Sequence, residues 1–307
     1  MRFRFHAWQL VVLLSAACVA AVAGLQWFRL RGGLSPAELV SYLPTSDASV
    51  IYIDVETIRR SGILNMLAGS KAAEEIEYKH FVDATLFDYR QDLDALAAAF
   101  KDNQTYFVLR GRFHWKNLME YARQQGGACN HGYCVVAGSR PSRRISFYPL
   151  KPDVLAMAVS SEETAAYRIA PKSGKLELVT PNQPVWALVP VTALSDSDAV
   201  PADAKPYVAA LRNTEQIVFT MGGESDHMEL ALDAICRDAT AASTLLVDLE
   251  SATSTLRTWM ARERKPRNPA DLSEILLAGS FRREDRRVYG RWPVSRAFVD
   301  AIAEGSY

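Results

Sequence analysis

Two thiols and an imidazole fall within six residues in Cys129-Asn130-His131-Gly132-Tyr133-Cys134, just after Gly126-Gly127 and at the mouth of a strand. Four residues separate the cysteines. That spacing lies within the range for zinc ligands, but a structural zinc site takes four donors and no second Cys/His pair is evident. A thioredoxin-type centre takes two intervening residues, not four. In an exported domain the same spacing reads as a small disulfide loop, Cys129–Cys134, that fastens a hairpin. The short ring would contribute a few kcal/mol at most. The disulfide is the preferred reading; a metal site, a redox pair and free thiols are the alternatives.

Other chemistry-bearing residues are dispersed. Cys236 shares the alternation of Met228, Leu230, Leu232 and Ala234, which makes it a small core residue on an apolar face. His227 lies nine residues back along the same strand, about 30 Å away and out of reach. His114 follows Gly111-Arg112-Phe113 at a strand-to-helix junction, where backbone amides favour an anion and Arg112 adds charge. His80 and His131 have no such context. Gly69-Ser70, Gly138-Ser139 and Gly279-Ser280 lack the second glycine of a nucleophile elbow, and neither a zinc-protease helix nor a phosphate-binding glycine loop occurs. Asp196-Ser197-Asp198 with Asp203 lacks the glycine and glutamate of a calcium loop and reads as an acidic surface segment. Arginines gather at Arg140, Arg143 and Arg144, and again at Arg282, Arg283, Arg286, Arg287 and Arg291. Such runs ordinarily solvate hairpin tips; Arg143, Arg144, Arg286 and Arg287 are carried as candidates for an anionic lipid or acidic partner, with Arg112 and His114. No catalytic residue, cofactor or metal is assigned.

What positions these residues begins with the first thirty. Arg2 and Arg4 precede an apolar run, residues 7–28, closed by Arg29 and Arg31 and flanked by Trp8 and Trp27-Phe28. As a helix it is roughly 30 Å long, the hydrocarbon thickness of a bilayer. Residues 1–31 are therefore expected to be a signal anchor, with the rest of the chain outside the cytoplasm as a single-pass inner-membrane protein. Cleavage after Ala23, in Ala21-Val22-Ala23, is the alternative and would give a secreted or periplasmic protein. Ser15-Ala16-Ala17-Cys18 resembles a lipoprotein box, but Ser15 stands where a large aliphatic residue is wanted.

Residues 32–46 read as a linker with a short helix begun by Ser35-Pro36. A strand at Val50–Ile53 and a helix near Ile58–Leu67 follow, then helical composition over Ala72–Tyr78 and Leu93–Phe100, with short strands between them as an alternative. Then come a strand at Tyr106–Leu109, a helix at Trp115–Gln125, and strands at Cys134–Ala137, Ile145–Tyr148 and Val154–Val159. After a boundary in 171–184 the order restarts. Strand Val185–Val191 leads to helix Lys205–Leu211, strands Ile217–Met221 and Met228–Cys236, and helix Ala239–Arg262. Strands Ile275–Phe281 and Val288–Val294 and a closing helix from Ser295 complete the chain. This predicts an α+β protein of two similar modules, 47–172 and 183–307, each a mixed sheet flanked by helices.

Signal anchor, Leu43-Pro44 before a strand, Ser61-Gly62-Ile63-Leu64 after it, Leu109-Arg110-Gly111-Arg112-Phe113 before a helix and Arg144-Ile145-Ser146-Phe147-Tyr148-Pro149-Leu150 make up a pattern. It resembles membrane-anchored, uncharacterised extracytoplasmic bacterial proteins of acidobacterial type. The resemblance spans most of the chain and implies a location; the group has no assigned activity to carry over.

The 307 residues are 49% hydrophobic and 23% charged, which excludes a disordered chain and a disulfide-dense miniprotein. Lys plus Arg and Asp plus Glu both total 35, so no global field attracts nucleic acid, and an exported location opposes it too. The functional expectation is a non-enzymatic envelope protein that binds a partner, an envelope protein or anionic lipid. The alternatives are an exported hydrolase or transferase with a nonlocal site that uses His114 and Arg112, and a metal or redox role for Cys129, His131 and Cys134.

Overall fold

A computed structural model describes residues 34–64, 76–138, 140, 142–171, 180–195, 201–224, 227–263 and 267–304. The expected anchor, the start of the linker, the end of the helix expected near Ile58–Leu67, the start of the segment Ala72–Tyr78, and Asp196-Ser197-Asp198 lie outside these. Among the described residues no helix is long and apolar enough to cross a membrane.

The chain begins with helix α1 (Pro36–Ser41), strand β1 (Ser49–Asp54) and helices α2 (Val55–Arg60), α3 (Ile76–Thr85) and α4 (Tyr89–Asp92). Then follow β2 (Leu93–Lys101), β3 (Gln104–Gly111), α5 (Trp115–Gln124), β4 (Ala128–Asn130), β5 (Tyr133–Ala137), β6 (Arg144–Lys151), β7 (Val154–Ser160) and a 3-10 turn at Ala165–Arg168. The later part runs β8 (Val185–Val189), α6 (Lys205–Leu211), β9 (Thr214–Glu224), β10 (His227–Cys236), α7 (Ala239–Arg262), α8 (Leu272–Leu277), β11 (Ser280–Glu284), β12 (Arg287–Val294) and α9 (Arg296–Glu304). The protein is α+β, as expected.

The two mixed sheets expected from the element order are instead one sheet of twelve strands, ordered β11-β12-β10-β9-β8-β1-β2-β3-β7-β6-β5-β4. Every pairing in it is antiparallel. Element order along a chain cannot show that β1 offers its free edge to β8, and that pairing fuses what would otherwise be two sheets. It sets Tyr52 opposite Trp186, and the two rings stack at 5.5 Å. Trp186 is 1% exposed and Tyr52 3%. Burial, then the nearby Asp54 charge, pushes the Tyr52 phenol up to about 12.

A second correction concerns β2. Leu93–Phe100 has the alanine content of a helix, yet it is a strand paired on both edges, to β1 and β3. Ala95, Ala97 and Ala99 are fully buried on one face. Ala97 stands between Tyr52 and Val108, and Ala99 between Val50 and Tyr106. Small residues here leave room for the large neighbours and for α1, whose Leu39 and Val40 are fully buried where it packs against β1 and β2. Packing overrides intrinsic propensity.

The third correction is α8. The apolar run Ile275-Leu276-Leu277 was expected to open a strand; it ends a helix entered at Asp271, and Ile275 and Leu276 pack into the core beside α7. Leu232, Ala234 and Cys236 of β10 share it with Ala242, Leu245, Leu249 and Leu256 of α7. The spacing of those α7 residues lays an apolar stripe along one face. Asp238 starts the helix by accepting a hydrogen bond from the Ala241 amide at 2.7 Å.

Candidate functional site

The Cys129 hexapeptide is a hairpin. Asn130 pairs with Tyr133 and Cys129 with Cys134, so only His131 and Gly132 form the turn. Both have positive φ, 50° and 86°, as a mirror-image two-residue turn requires. The pair flanking such a turn is the hydrogen-bonded one, so Cys129 and Cys134 fall at the next, closer pair. Their Cα atoms are 4.1 Å apart and the sulfurs are bonded, which is the preferred sequence reading. With both thiols joined, neither is a thiolate ligand. No group of three His, Cys, Asp or Glu among the described residues is placed to hold a metal.

Strand alternation divides this hairpin between two faces of the sheet. Cys134 is fully buried, and the Cys129 sulfur lies 3.6 Å from the Met119 carbonyl oxygen of α5. Tyr133 and Val135 face the opposite way, as do Arg144, Ser146 and Tyr148 of the adjacent β6. Onto that side folds the segment after β7. The Ala166 amide donates to the Ser146 hydroxyl oxygen at 3.2 Å, and Ser146 is fully buried. Between this segment and the hairpin lies an open groove of about 620 Å3.

Tyr133 and Tyr167 form its aromatic side, and Tyr148 packs against both rings without lining the groove. Tyr133 and Tyr167 stack at 4.1 Å with their planes 19° apart. Tyr148 adds centroid distances of 5.9 Å to Tyr133 and 5.6 Å to Tyr167. The Tyr133 hydroxyl donates to the Glu163 carbonyl at 2.7 Å, and the Tyr148 hydroxyl to the Ile169 carbonyl at 2.6 Å. Those bonds fix both rings. Burial raises both phenols above their ordinary range, so they stay protonated donors at neutral pH. Tyr167, on the 3-10 turn, is 58% exposed. Asn130, His131, Glu163 and Thr164 supply a polar rim together with Arg144, whose Nε lies 3.6 Å from Glu163 Oε1.

The structure thus brings Arg144 and the disulfide hairpin together, and leaves the other candidates elsewhere. Arg143 donates to Asn103 Oδ1 at 3.0 Å, tying the β5–β6 turn to the β2–β3 turn. Arg112 is held by Asp92 at 2.9 Å and by the Gln91 carbonyl oxygen. His114 precedes α5 without a side-chain capping bond. Arg286 pairs with Glu215 at 3.4 Å and Arg287 with Asp233 at 3.6 Å. Arg282 pairs with Glu284, and Arg291 lies 3.8 Å from Glu229. The second basic cluster is therefore interleaved with carboxylates of its own and neighbouring strands. It spans the β11–β12 hairpin, and β12 is eight strand positions from β6 in the sheet order, roughly 38 Å at the usual spacing.

Sequence reasoning missed Tyr133, Tyr148, Glu163, Thr164 and Tyr167. The alternation Arg144, Ser146, Tyr148 beside Tyr133, Val135 was the legible signal for one side of the groove. The other side, on a 3-10 turn, has no periodicity to read.

No protein-family model and no curated protein matches the chain. Among solved structures it is similar to crystal form I of TP0453, at 11% identity over 89% of this chain and 100% of the other, with a TM-score of 0.49. Form III aligns at 12% identity over 89% and 99%, TM-score 0.48. Form IV aligns at 11% over 90% and 98%, TM-score 0.46.

Proposed function

We propose that the chain is a membrane-anchored, extracytoplasmic binding protein of the bacterial cell envelope, held by residues 7–28 and non-enzymatic. The observation that carries this reading is the Cys129–Cys134 disulfide. Such bonds persist in oxidising compartments, and an apolar N-terminal segment flanked by arginines is what an exported, tethered chain would carry. Binding is favoured over catalysis by the groove itself. Among the described residues lining it, no hydroxyl or thiol is hydrogen-bonded to a histidine or carboxylate, the geometry that activates a nucleophile. In this reading 47–172 and 183–307 are two similar modules joined edge to edge through β1 and β8. From that junction the strands run β1-β2-β3-β7-β6 one way and β8-β9-β10-β12-β11 the other, which supports it. The β4–β5 hairpin is then an addition to the first module alone.

The test is a pair of C-terminal fusions of the full chain, to alkaline phosphatase and to green fluorescent protein, with membrane fractionation. Active phosphatase, a dark fluorescent fusion and resistance to carbonate extraction are expected. Active phosphatase in the soluble fraction would replace the anchor by cleavage after Ala23. Fluorescence with inactive phosphatase, or reduced Cys129 and Cys134 in the natively produced protein, would overturn the reading.

A further inference from the structure

We infer that the groove between the β4–β5 hairpin and the 3-10 turn binds a saccharide, with Tyr167 as its stacking platform. The inference deepens the binding-protein reading, and rests on it for the source of the glycan.

A pyranose ring has a rigid apolar C–H face and a rim of hydroxyls. It is matched by a flat aromatic surface edged with groups that both donate and accept hydrogen bonds. The groove has both. Tyr167 is largely in water, yet one ring face rests on Tyr133 at 4.1 Å. Tyr133 is itself locked by the Glu163 carbonyl, so the platform is preorganised. Around it stand an amide, a hydroxyl and an ion pair: Asn130, Thr164 and Arg144 with Glu163. An Arg–carboxylate pair presents donors and acceptors side by side with little net charge, which suits a neutral polyol. The volume, about 620 Å3, falls inside the ordinary range of small-ligand sites, about 300–1,000 Å3.

Other ligand classes fit less well. A quaternary ammonium is held in a box of rings set edge to face around it, whereas Tyr133 lies within 19° of Tyr167 and 28° of Tyr148. A phosphate-bearing ligand wants uncompensated positive charge, and here Glu163 accompanies Arg144. A peptide added as a further strand would extend the sheet at β4, which is three residues long.

The test uses the full chain in lauryldimethylamine oxide, a detergent without sugar. Two probes are added separately at millimolar concentration: the β-1,4-linked trimer of N-acetylglucosamine, and lipid-free core oligosaccharide of lipopolysaccharide. Saturation-transfer NMR is expected to light up ring C–H protons of one probe, the trimer pointing to a peptidoglycan-type glycan and the core to an outer-leaflet one. Tyr167→Ala should weaken binding about tenfold, the loss expected of one aromatic stack, and Tyr167→Phe should keep it within about twofold, because only the ring face is used. Far-UV circular dichroism and an intact disulfide check that both variants fold. Silence with both probes, or transfer that Tyr167→Ala leaves unchanged, overturns the inference; so does selective capture of an extended peptide at the groove. Failure here leaves the reporter-fusion result standing, and sugar binding by a chain whose fusions report the cytoplasm would overturn the location alone.

Discussion

Cys129 and Cys134 face each other across β4 and β5, and their bond settles which way Tyr133 points. One residue from a cross-strand pair on one face of the sheet is always on the other. Because Cys134 is buried on the side of α5, Tyr133 must lie in the groove, stacked with Tyr167. Covalent clamp and aromatic floor are two sides of one short hairpin.

The clamp closes a ring of few residues, so loop entropy gives it about 2 kcal/mol. Replacing both cysteines with serine should lower Tm by roughly 4–8 °C, at about 2–4 °C per kcal/mol for a chain of this size. Thermal melts of wild type and the double variant, with and without reductant, check it. Reductant should lower the wild-type Tm and leave that of the variant in place.

The turn offers a finer test, because His131 holds φ at 50°, in the left-handed region. A β-branched residue resists that conformation, whereas asparagine accepts it. His131→Val should cost about 1 kcal/mol and His131→Asn should cost nothing or stabilise slightly. Urea unfolding midpoints at constant m-value would measure both.

Gly111 ends β3 where the chain turns toward α5. Its amide donates to the Asp153 carbonyl at 2.9 Å, and the next amide, of Arg112, to the Asp92 carbonyl at 2.8 Å. A Cβ here would press into that Asp92 oxygen, a backbone atom that has no flexible end to give way. Gly111→Ala should therefore destabilise by about 1–3 kcal/mol, the usual range for overpacking, as read from equilibrium urea curves. An unchanged midpoint would show that the β2–β3 end yields more easily than its hydrogen bonds suggest.

How much of this was legible depends on where the determining contacts lie. Helices Lys205–Leu211 and Ala239–Arg262 were read to their ends, the long one because the spacing of Ala242, Leu245, Leu249, Leu256 and Met260 marks an apolar face. Leu93–Phe100 was misread because alanine in a strand makes sense only beside Tyr52 and Tyr106, which are distant in sequence. The disulfide needed only six adjacent residues and a compartment argument. The groove needed Tyr133, Tyr148 and Tyr167 to meet, and no local rule brings together residues on two strands and a 3-10 turn.

Cys236 was expected in the core, and it is fully buried beneath α7. Burial pushes its thiol up from the ordinary value, with the Asp238 and Glu215 charges adding to the effect. Alkylation at pH 8 followed by peptide mapping should leave Cys236 unmodified in the native chain and modify it fully in denaturant. Rapid native labelling would mean that the α7 core opens readily.

Asp238 makes folding pH-dependent at the start of α7. The Ala241 amide, then the Arg237 guanidinium, hold its carboxyl below the usual carboxylate range. A depressed folded value means that the charged form is favoured in the native state. Its contribution is therefore complete above the unfolded carboxyl value, about 4, and lost as pH falls through the lower folded one. Asp238→Asn keeps an oxygen that accepts the Ala241 hydrogen bond but removes the titration. Wild type should melt above this variant at pH 7, with the gap closing as pH falls through the lowered carboxyl value of the folded chain. A gap that persisted in acid would assign the effect to cap geometry and not to charge.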